Sequence, residues 1–321
     1  IGSHTIVNFN DIDCEIVILD NLSTSELSVY EKLKSLTTNK ITFINGDIRD
    51  KFKLNELFIK ERFNTVIHFA GLKSVSDSII YPLKYYDTNI QGTLTLLNIM
   101  DNHDVREFIF SSSATVYGVP NLLPIKEDHS KKPLNPYGYC KLYIEQILNS
   151  LFLSNKKWKI VSLRYFNPVG AHPSYLIGDN PKGAPLNLMP CISRVAKGKD
   201  SKLKIFGDNY DTPDGTGIRD FIHVLDVAEG HKAALLFIKE NSGAHEFNLG
   251  TGKGSSVFEI LKTFEKVNNL KVPFKIYPRR IGDVSESFAD ATKAFNILGW
   301  KAKFDLESMC KSSWMFEKKN F

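Results

Sequence analysis

Short apolar runs alternate with longer stretches of helical spacing through the first half of the chain. The runs fall at residues 15–20 (EIVILD), 41–45 (ITFIN), 65–69 (TVIHF), 107–111 (EFIFS) and 159–164 (KIVSLR). They are nearly continuous rather than alternating, which marks strands covered on both faces. Several such units in a row predict an α/β fold with a doubly wound parallel sheet. Beyond residue 165 the pattern loosens. Gly- and Pro-rich connections occupy 173–185 and 207–217, and helical patterns return at 225–240, 257–268 and 290–298. The organisation expected is a sheet domain over residues 1–165 and a smaller mixed C-terminal lobe over 166–321, some of whose segments rejoin the sheet.

The first helix sets the candidate chemistry. A dinucleotide-binding (Rossmann) fingerprint is a strand, then G-x-G-x-x-G, then a helix. Ile1-Gly2 reads as the last two positions of that motif, and residues 3–9 as the start of its helix. A chain starting there lacks the first strand and the phosphate-binding loop, so the reading expects both to lie upstream in a longer natural chain. Asp20 ends the next strand, where a carboxylate binds the ribose 2′-OH of NAD and repels the 2′-phosphate of NADP. The same residue also reads as a turn or cap. Small residues after later strands, Asn45-Gly46-Asp47-Ile48 and Phe69-Ala70-Gly71-Leu72-Lys73, let a ligand approach the backbone, and equally suit tight turns.

Tyr137-Gly138-Tyr139-Cys140-Lys141 is a Y-x-x-x-K pattern at a predicted helix start, with Asn135 as cap and Pro136 in the first turn. Positions i and i+4 share a face, so Tyr137 and Lys141 point the same way. A free phenol has a pKa of about 10, and using it as a base at neutral pH requires roughly 4 kcal/mol of preference for the phenolate. A nearby ammonium supplies part of that. Ser111-Ser112-Ser113-Ala114-Thr115-Val116-Tyr117-Gly118 follows a predicted strand and would place the Ser113 hydroxyl at the sheet's carboxyl edge.

Composition narrows the classes. The chain is 42% hydrophobic and 24% charged, the balance of a folded protein. Its formal charge of +5 is spread without a block, which argues against a nucleic-acid partner. No apolar run reaches the roughly 18 residues of a membrane span. Cys14, Cys140, Cys191 and Cys310 suggest neither a disulfide frame nor zinc, and the histidines show no metal spacing. Reduced thiols fit a cytoplasmic protein.

Taken together, SSSATVYG, YGYCK, RYFNPVGAHPS (from Arg164), NLMP (from Asn187) and DGTGIRDFIHVLD (from Asp214) resemble the UDP-glucose 4-epimerase family of extended short-chain dehydrogenases/reductases. The resemblance runs from Ile1 to about Trp300. It implies tightly held NAD, reversible oxidation at sugar C4 through a 4-keto intermediate, and interconversion of UDP-glucose and UDP-galactose. It assigns Tyr137 as the base, Lys141 as its tuner and a ribose ligand, and Ser113 as the group orienting the hydroxyl. Cofactor contacts would fall on Ile1, Gly2, Asp20, Asn21, Ser25, Asp47, Ile48, Phe69, Ala70, Gly71, Leu72, Lys73, Asn89 and Phe166, besides Tyr137 and Lys141. UDP-sugar contacts would fall on Ser113, Asn167, Asn187, Leu188, Phe206, Arg219, Arg280, Asp283 and Ser287. Arg219 also reads as an ion-pair partner of Asp220 or Asp226. Ser287 stands where some members carry a tyrosine beside sugar C2, so the expectation extends to UDP-N-acetylhexosamines. The resemblance further implies a homodimer through helices at 92–102 and 136–154, although Leu94, Leu97, Leu142 and Ile147 suit a bundle or a core alike. Two readings compete. One is a nucleotide-sugar dehydratase or decarboxylase, against which Ala114 and Thr115 offer no acid beside Ser113. The other is a truncated, inactive NAD-binding module.

Overall fold

The computed structural model describes residues 1–183, 185–280 and 282–320. Helix α1 (Gly2–Asn8) is followed by β1 (Ile16–Asp20), α2 (Leu27–Lys34), β2 (Ile41–Asn45), α3 (Lys51–Lys60) and β3 (Thr65–His68). Then come α4 (Val75–Ile80), α5 (Pro82–Tyr85), a π-helical turn (Tyr86–Gln91), α6 (Gly92–Asn102), β4 (Glu107–Ser113), α7 (Pro136–Ser154) and β5 (Lys159–Tyr165). All five predicted strands form, with small shifts at their ends. β3 stops one residue short at His68, and β4 runs two residues further, to Ser113. The helix starts follow local chemistry. The Asp50 side chain caps α3 by accepting from Lys53 N, and Asn135 caps α7 by accepting from Gly138 N at 2.9 Å.

The second half adds β6 (Asn167–Val169), α8 (Leu188–Ala196), β7 (Leu203–Phe206), β8 (Ile218–Arg219), β9 (Phe221–His223), α9 (Val224–Glu240) and β10 (Gly243–Leu249). It ends with β11 (Ser255–Ser256), α10 (Val257–Asn268), β12 (Phe274–Tyr277), β13 (Glu286–Ser287), α11 (Thr292–Leu298) and α12 (Leu306–Asn320). Strand β10 went unpredicted because GAHEFNL carries polar residues at its centre. It pairs in parallel with β5, from Gly243 opposite Lys159 to Leu249 opposite Tyr165, so this late segment joins the main sheet.

That sheet has the parallel order β10-β5-β4-β3, and β1-β2 forms a separate parallel pair. Among the described residues no strand joins β1 to β3. Period-two alternation feeds two cores. Ile109, Val161, Leu163, Phe247 and Leu249 pack toward α9 with Val227, Ala234 and Ile238. Phe108, Phe110 and Ile160 point to the other face, against Leu54, Leu96, Met100, Ile144 and Leu148 of α3, α6 and α7. A third core closes the smaller lobe through Met189, Ile192, Leu203, Ile205, Ile260, Phe264 and Met309. Each fully buried side chain of this size is worth roughly 1.5–3 kcal/mol.

The segment after β4 turns on a left-handed glycine. Gly118 has φ +68°, and a Cβ there would lie 1.9 Å from the Lys132 carbonyl oxygen. Gly118→Ala is expected to destabilise the fold by about 3 kcal/mol or more. A thermal unfolding midpoint equal to the parent's would contradict this reading of the turn.

Candidate active site

The last three residues of β4 meet one face of α7. The Lys141 ammonium donates to the Ser111 carbonyl at 2.6 Å, and the Ser112 hydroxyl donates to Glu145 Oε1 at 2.6 Å. The Ser113 hydroxyl hydrogen-bonds Tyr137. Spacing i, i+4, i+8 on the helix therefore reads consecutive residues of one strand end. Ser113 Oγ accepts from Thr115 N at 3.2 Å and Thr115 Oγ1 at 3.0 Å, which leaves its own proton to point at the phenol oxygen. Lys141 Nζ lies 5.7 Å from the Tyr137 ring centroid and 4.8 Å from that of Phe110.

Burial acts on both titrating groups. It pushes Tyr137 up to about 12, with the Ser113 hydrogen bond pulling the other way. It pulls Lys141 down to about 8, opposed by Cys140 and Glu145. At neutral pH, Lys141 is thus still largely an ammonium. Making Tyr137 a base at pH 7 now requires about 7 kcal/mol rather than the roughly 4 kcal/mol of a free phenol.

Beneath this cluster lies a polar row that sequence reasoning missed. Ser112, Arg164 and Asn248 are register partners on β4, β5 and β10, and all three are buried. Arg164 forks onto Glu145 at 2.8 and 2.7 Å and donates to the Tyr117 hydroxyl at 3.0 Å. Tyr117 in turn donates to Asn248 Oδ1 at 2.7 Å. The signal available was Glu145 at i+4 from Lys141, on a helix face that is otherwise apolar.

The predicted cofactor residues gather at the carboxyl ends of β1, β2 and β3. Asp20 Oδ1 accepts from Leu22 N at 2.7 Å and Ser25 Oγ at 2.8 Å, so Asp20 shapes its own turn as well. Asn21 donates to Asp47 at 2.8 Å, and Arg49, paired with Asp47, holds that carboxyl far below its usual range. Arg49 also reaches Asp87 at 2.5 Å and so ties the β2 end to the π-helical turn. That turn projects Asn89 onto the loop after β3. Asn89 accepts from Leu72 N at 2.8 Å and donates to Leu72 O at 3.0 Å. Gly71 (φ +151°) lies so close that a Cβ would come within 3.1 Å of Asn89 Oδ1. A Cβ on Gly2 would meet Phe69 at 3.4 Å, which places α1 over the same loop. Ile48 is buried against Gly92, Phe166 is buried beside Leu142, and Ala70 is exposed. Ile1 caps α1, while Lys73 leans 3.6 Å from Asp179.

Two of the predicted sugar-side residues, Asn167 and Ser287, are joined through the backbone of Asp220. Asp220 N donates to the Ser287 carbonyl at 3.0 Å, and Asn167 N donates to the Asp220 carbonyl at 3.0 Å. The fully buried Asp220 side chain accepts from Thr251 N at 2.9 Å, Thr251 Oγ1 at 2.6 Å, and Gly252 N and Ala289 N at 3.1 Å each. Burial raises its pKa, and these donors oppose the rise. Asp220 therefore does not pair with Arg219. Neither does Asp226, which accepts from Lys303 N and Phe304 N. Arg219 instead sits opposite Ser287 in the β8–β13 ladder and donates to the carbonyls of Ile218 and Ser285. Arg280 pairs with Asp283 at 2.9 Å and stacks 5.2 Å from the Phe206 centroid. Asn187 begins α8 without a side-chain capping bond, and Leu188 packs partly into the lobe core. The arrangement brings a hydroxyl, a phenol and an ammonium together at the end of β4, while the C-terminal half holds arginines of the kind suited to a diphosphate. Among the described residues no His/Cys/Asp/Glu group could hold a metal.

Comparison with known proteins identifies the family and the fold. The model of the NAD dependent epimerase/dehydratase family matches residues 1–250. The UDP-glucose 4-epimerase of Dictyostelium discoideum is 49% identical over all of this chain and 93% of its own length. The UDP-glucose 4-epimerase of Stenotrophomonas maltophila, solved with NAD and formylated UDP-arabinopyranose, superposes with a TM-score of 0.96. It is 45% identical, covering 99% of this chain and 95% of that one. The Bifidobacterium longum UDP-glucose 4-epimerase, solved with NAD+ and UDP, also gives 0.96, at 44% identity over 99% and 95% of the two chains.

Glu145→Gln would leave the buried Arg164 guanidinium without its counter-charge and is expected to cost about 3–5 kcal/mol. Replacing both partners with apolar residues of matching volume should restore most of that loss. Calorimetric unfolding of the single and double variants tests the pair, and an unshifted single variant would count against it.

Proposed function

The chain belongs to the NAD dependent epimerase/dehydratase family, and on that premise we propose that it interconverts UDP-glucose and UDP-galactose by inverting sugar C4. It is accordingly an isomerase. The observation that carries the reading is the convergence of Ser113, Tyr137 and Lys141 at the carboxyl edge of β4, within a chain alike over its full length to UDP-glucose 4-epimerases.

The residues at the strand ends fit NAD. Asp20 and Ser25 present a carboxylate and a hydroxyl to a ribose, and Gly71 lets Asn89 pack closely on the loop after β3. Asp20, Asn21, Asp47, Ile48, Phe69 to Lys73, Asn89 and Phe166 would hold it, with Ile1 and Gly2 at the head of α1. When bound, NAD supplies a reversible hydride acceptor, so C4 passes through a ketone without net redox change.

The chain's own residues do the rest. Tyr137 takes the O4 proton and later returns it, with Ser113 aligning the hydroxyl. Lys141, fixed by the Ser111 carbonyl, favours the phenolate by its charge. Arg219 and Arg280 clamp the diphosphate, Phe206 and Asp283 flank the nucleoside, and Asn167, Asn187 and Leu188 border the sugar. Ala114 and Thr115 bring no carboxylate to Ser113, which disfavours dehydration. Ser287 leaves room beside C2, so N-acetylhexosamine substrates belong to the same reading.

The proposed homodimer would use the outer face of α7, where Tyr139, Tyr143 and Leu153 are exposed. Leu97, Leu142 and Ile147 serve the core instead. All four cysteines are free thiols, in keeping with a cytoplasmic setting. No described helix is long and apolar enough to cross a membrane.

Conversion of UDP-galactose to UDP-glucose without added reductant tests the reading. Tyr137→Phe should lower kcat by about 100-fold or more, and undiminished turnover would remove Tyr137 as the base. In the same assay UDP-N-acetylgalactosamine should yield UDP-N-acetylglucosamine. No product from it, while UDP-galactose turns over, would sink the role given to Ser287.

A further inference from the structure

The loop between β7 and β8 holds a buried phenol, Tyr210. Tyr210 is 7% exposed, and its hydroxyl has no hydrogen-bond partner among the described residues. A buried, unsatisfied polar group destabilises a fold, so its presence calls for a reason. The ring is not loosely placed. The Arg279 guanidinium lies 4.1 Å from its centroid, and Arg279 is itself held by Asn209 Oδ1 at 2.7 Å. Gly207, at φ +84°, backs the ring so closely that a Cβ would fall 2.5 Å from Cε2. The Tyr210 amide donates to the Gly215 carbonyl at 2.8 Å.

The ring lies in a charged neighbourhood. The charged groups acting on it are Asp283, Arg219, Arg279 and Arg280. Three are residues to which the proposed function assigns the nucleotide sugar. A groove of about 380 Å³ is lined by Gly207, Asn209, Tyr277 and Arg279, two of which, Gly207 and Arg279, contact the Tyr210 ring. A neutral O–H among arginines suits a phosphate oxygen, which accepts hydrogen bonds from both kinds of donor.

We propose that Tyr210 is a substrate-binding residue whose hydroxyl donates to the diphosphate of the nucleotide sugar held between Arg219 and Arg280. This rests on the nucleotide-sugar reading above. Among the described residues nothing satisfies the phenol, and the ligand completes it, so fold and binding should respond to its removal in opposite directions.

Tyr210→Phe deletes only the oxygen. Calorimetric titration with UDP should show Kd rising about tenfold or more, while the unfolding midpoint without ligand holds or increases. An unchanged Kd, with the parent binding UDP, overturns the inference and leaves the epimerase reading intact. A lowered midpoint assigns the hydroxyl to the fold and also overturns it. Failure of the parent to bind UDP removes both readings together.

Discussion

The site depends on an ion pair buried beneath it. Arg164 is wholly enclosed and forks onto Glu145, which also accepts the Ser112 hydroxyl. Two charges out of water are stable only when each is matched and the remaining lone pairs and protons are used. Here that condition is met by residues of β4, β5 and α7, with Tyr117 and Asn248 completing the chain of bonds toward β10. Apolar packing would let α7 slide by a fraction of a turn on the sheet. A bidentate pair does not, because its geometry fixes both position and rotation. Lys141 and Tyr137 sit one and two turns up the same helix face, so their placement over Ser111 and Ser113 follows from where Glu145 is anchored.

Asp220 does for the smaller lobe what Glu145 does for the sheet. Its backbone links Asn167 on β6 to Ser287 on β13, and its carboxylate gathers amides from the segment after β10 and from Ala289. Because β10 is a strand of the main sheet, this one residue joins β6 and β13 to the sheet that carries Ser113. Gly250 is a consequence, since a Cβ there would lie 2.5 Å from Asp220 Oδ2. In both lobes a buried carboxylate serves as an organiser. The exposed arginine pairs, such as Arg280 with Asp283, are adjustable and contribute little to stability.

What the sequence made legible was what repeats locally. The apolar runs located five strands, and Asn135-Pro136 located the start of α7, because burial and capping are written in neighbouring residues. The Y-x-x-x-K spacing placed two side chains on one face for the same reason. β10 was not legible, since His245, Glu246 and Asn248 interrupt its apolar pattern, and Asn248 is buried only because Tyr117 and the segment around Ile125 come to meet it. The Arg164–Glu145 pair spans 19 positions and the Asp220–Ala289 bond 69. No local pattern marks such partners. Arg219 illustrates the point, because the sequence offered Asp220 or Asp226 as its ion-pair partner, while the fold turns both carboxylates to backbone amides.

Positioning and reactivity pull against each other at Tyr137. The packing that holds the phenol over Ser113 also excludes water, and this raises its pKa to about 12. One hydrogen bond from Ser113 opposes that rise without cancelling it. Lys141 is depressed to about 8 by the same burial, yet it keeps its charge at neutral pH, and the Ser111 carbonyl prevents it from approaching the phenol further. The chain alone therefore keeps Tyr137 protonated. A second positive charge brought close to the ring would tip the balance, and such a charge acts strongly where water is excluded. A base role for Tyr137 therefore requires such a charge, because burial by itself favours the protonated phenol.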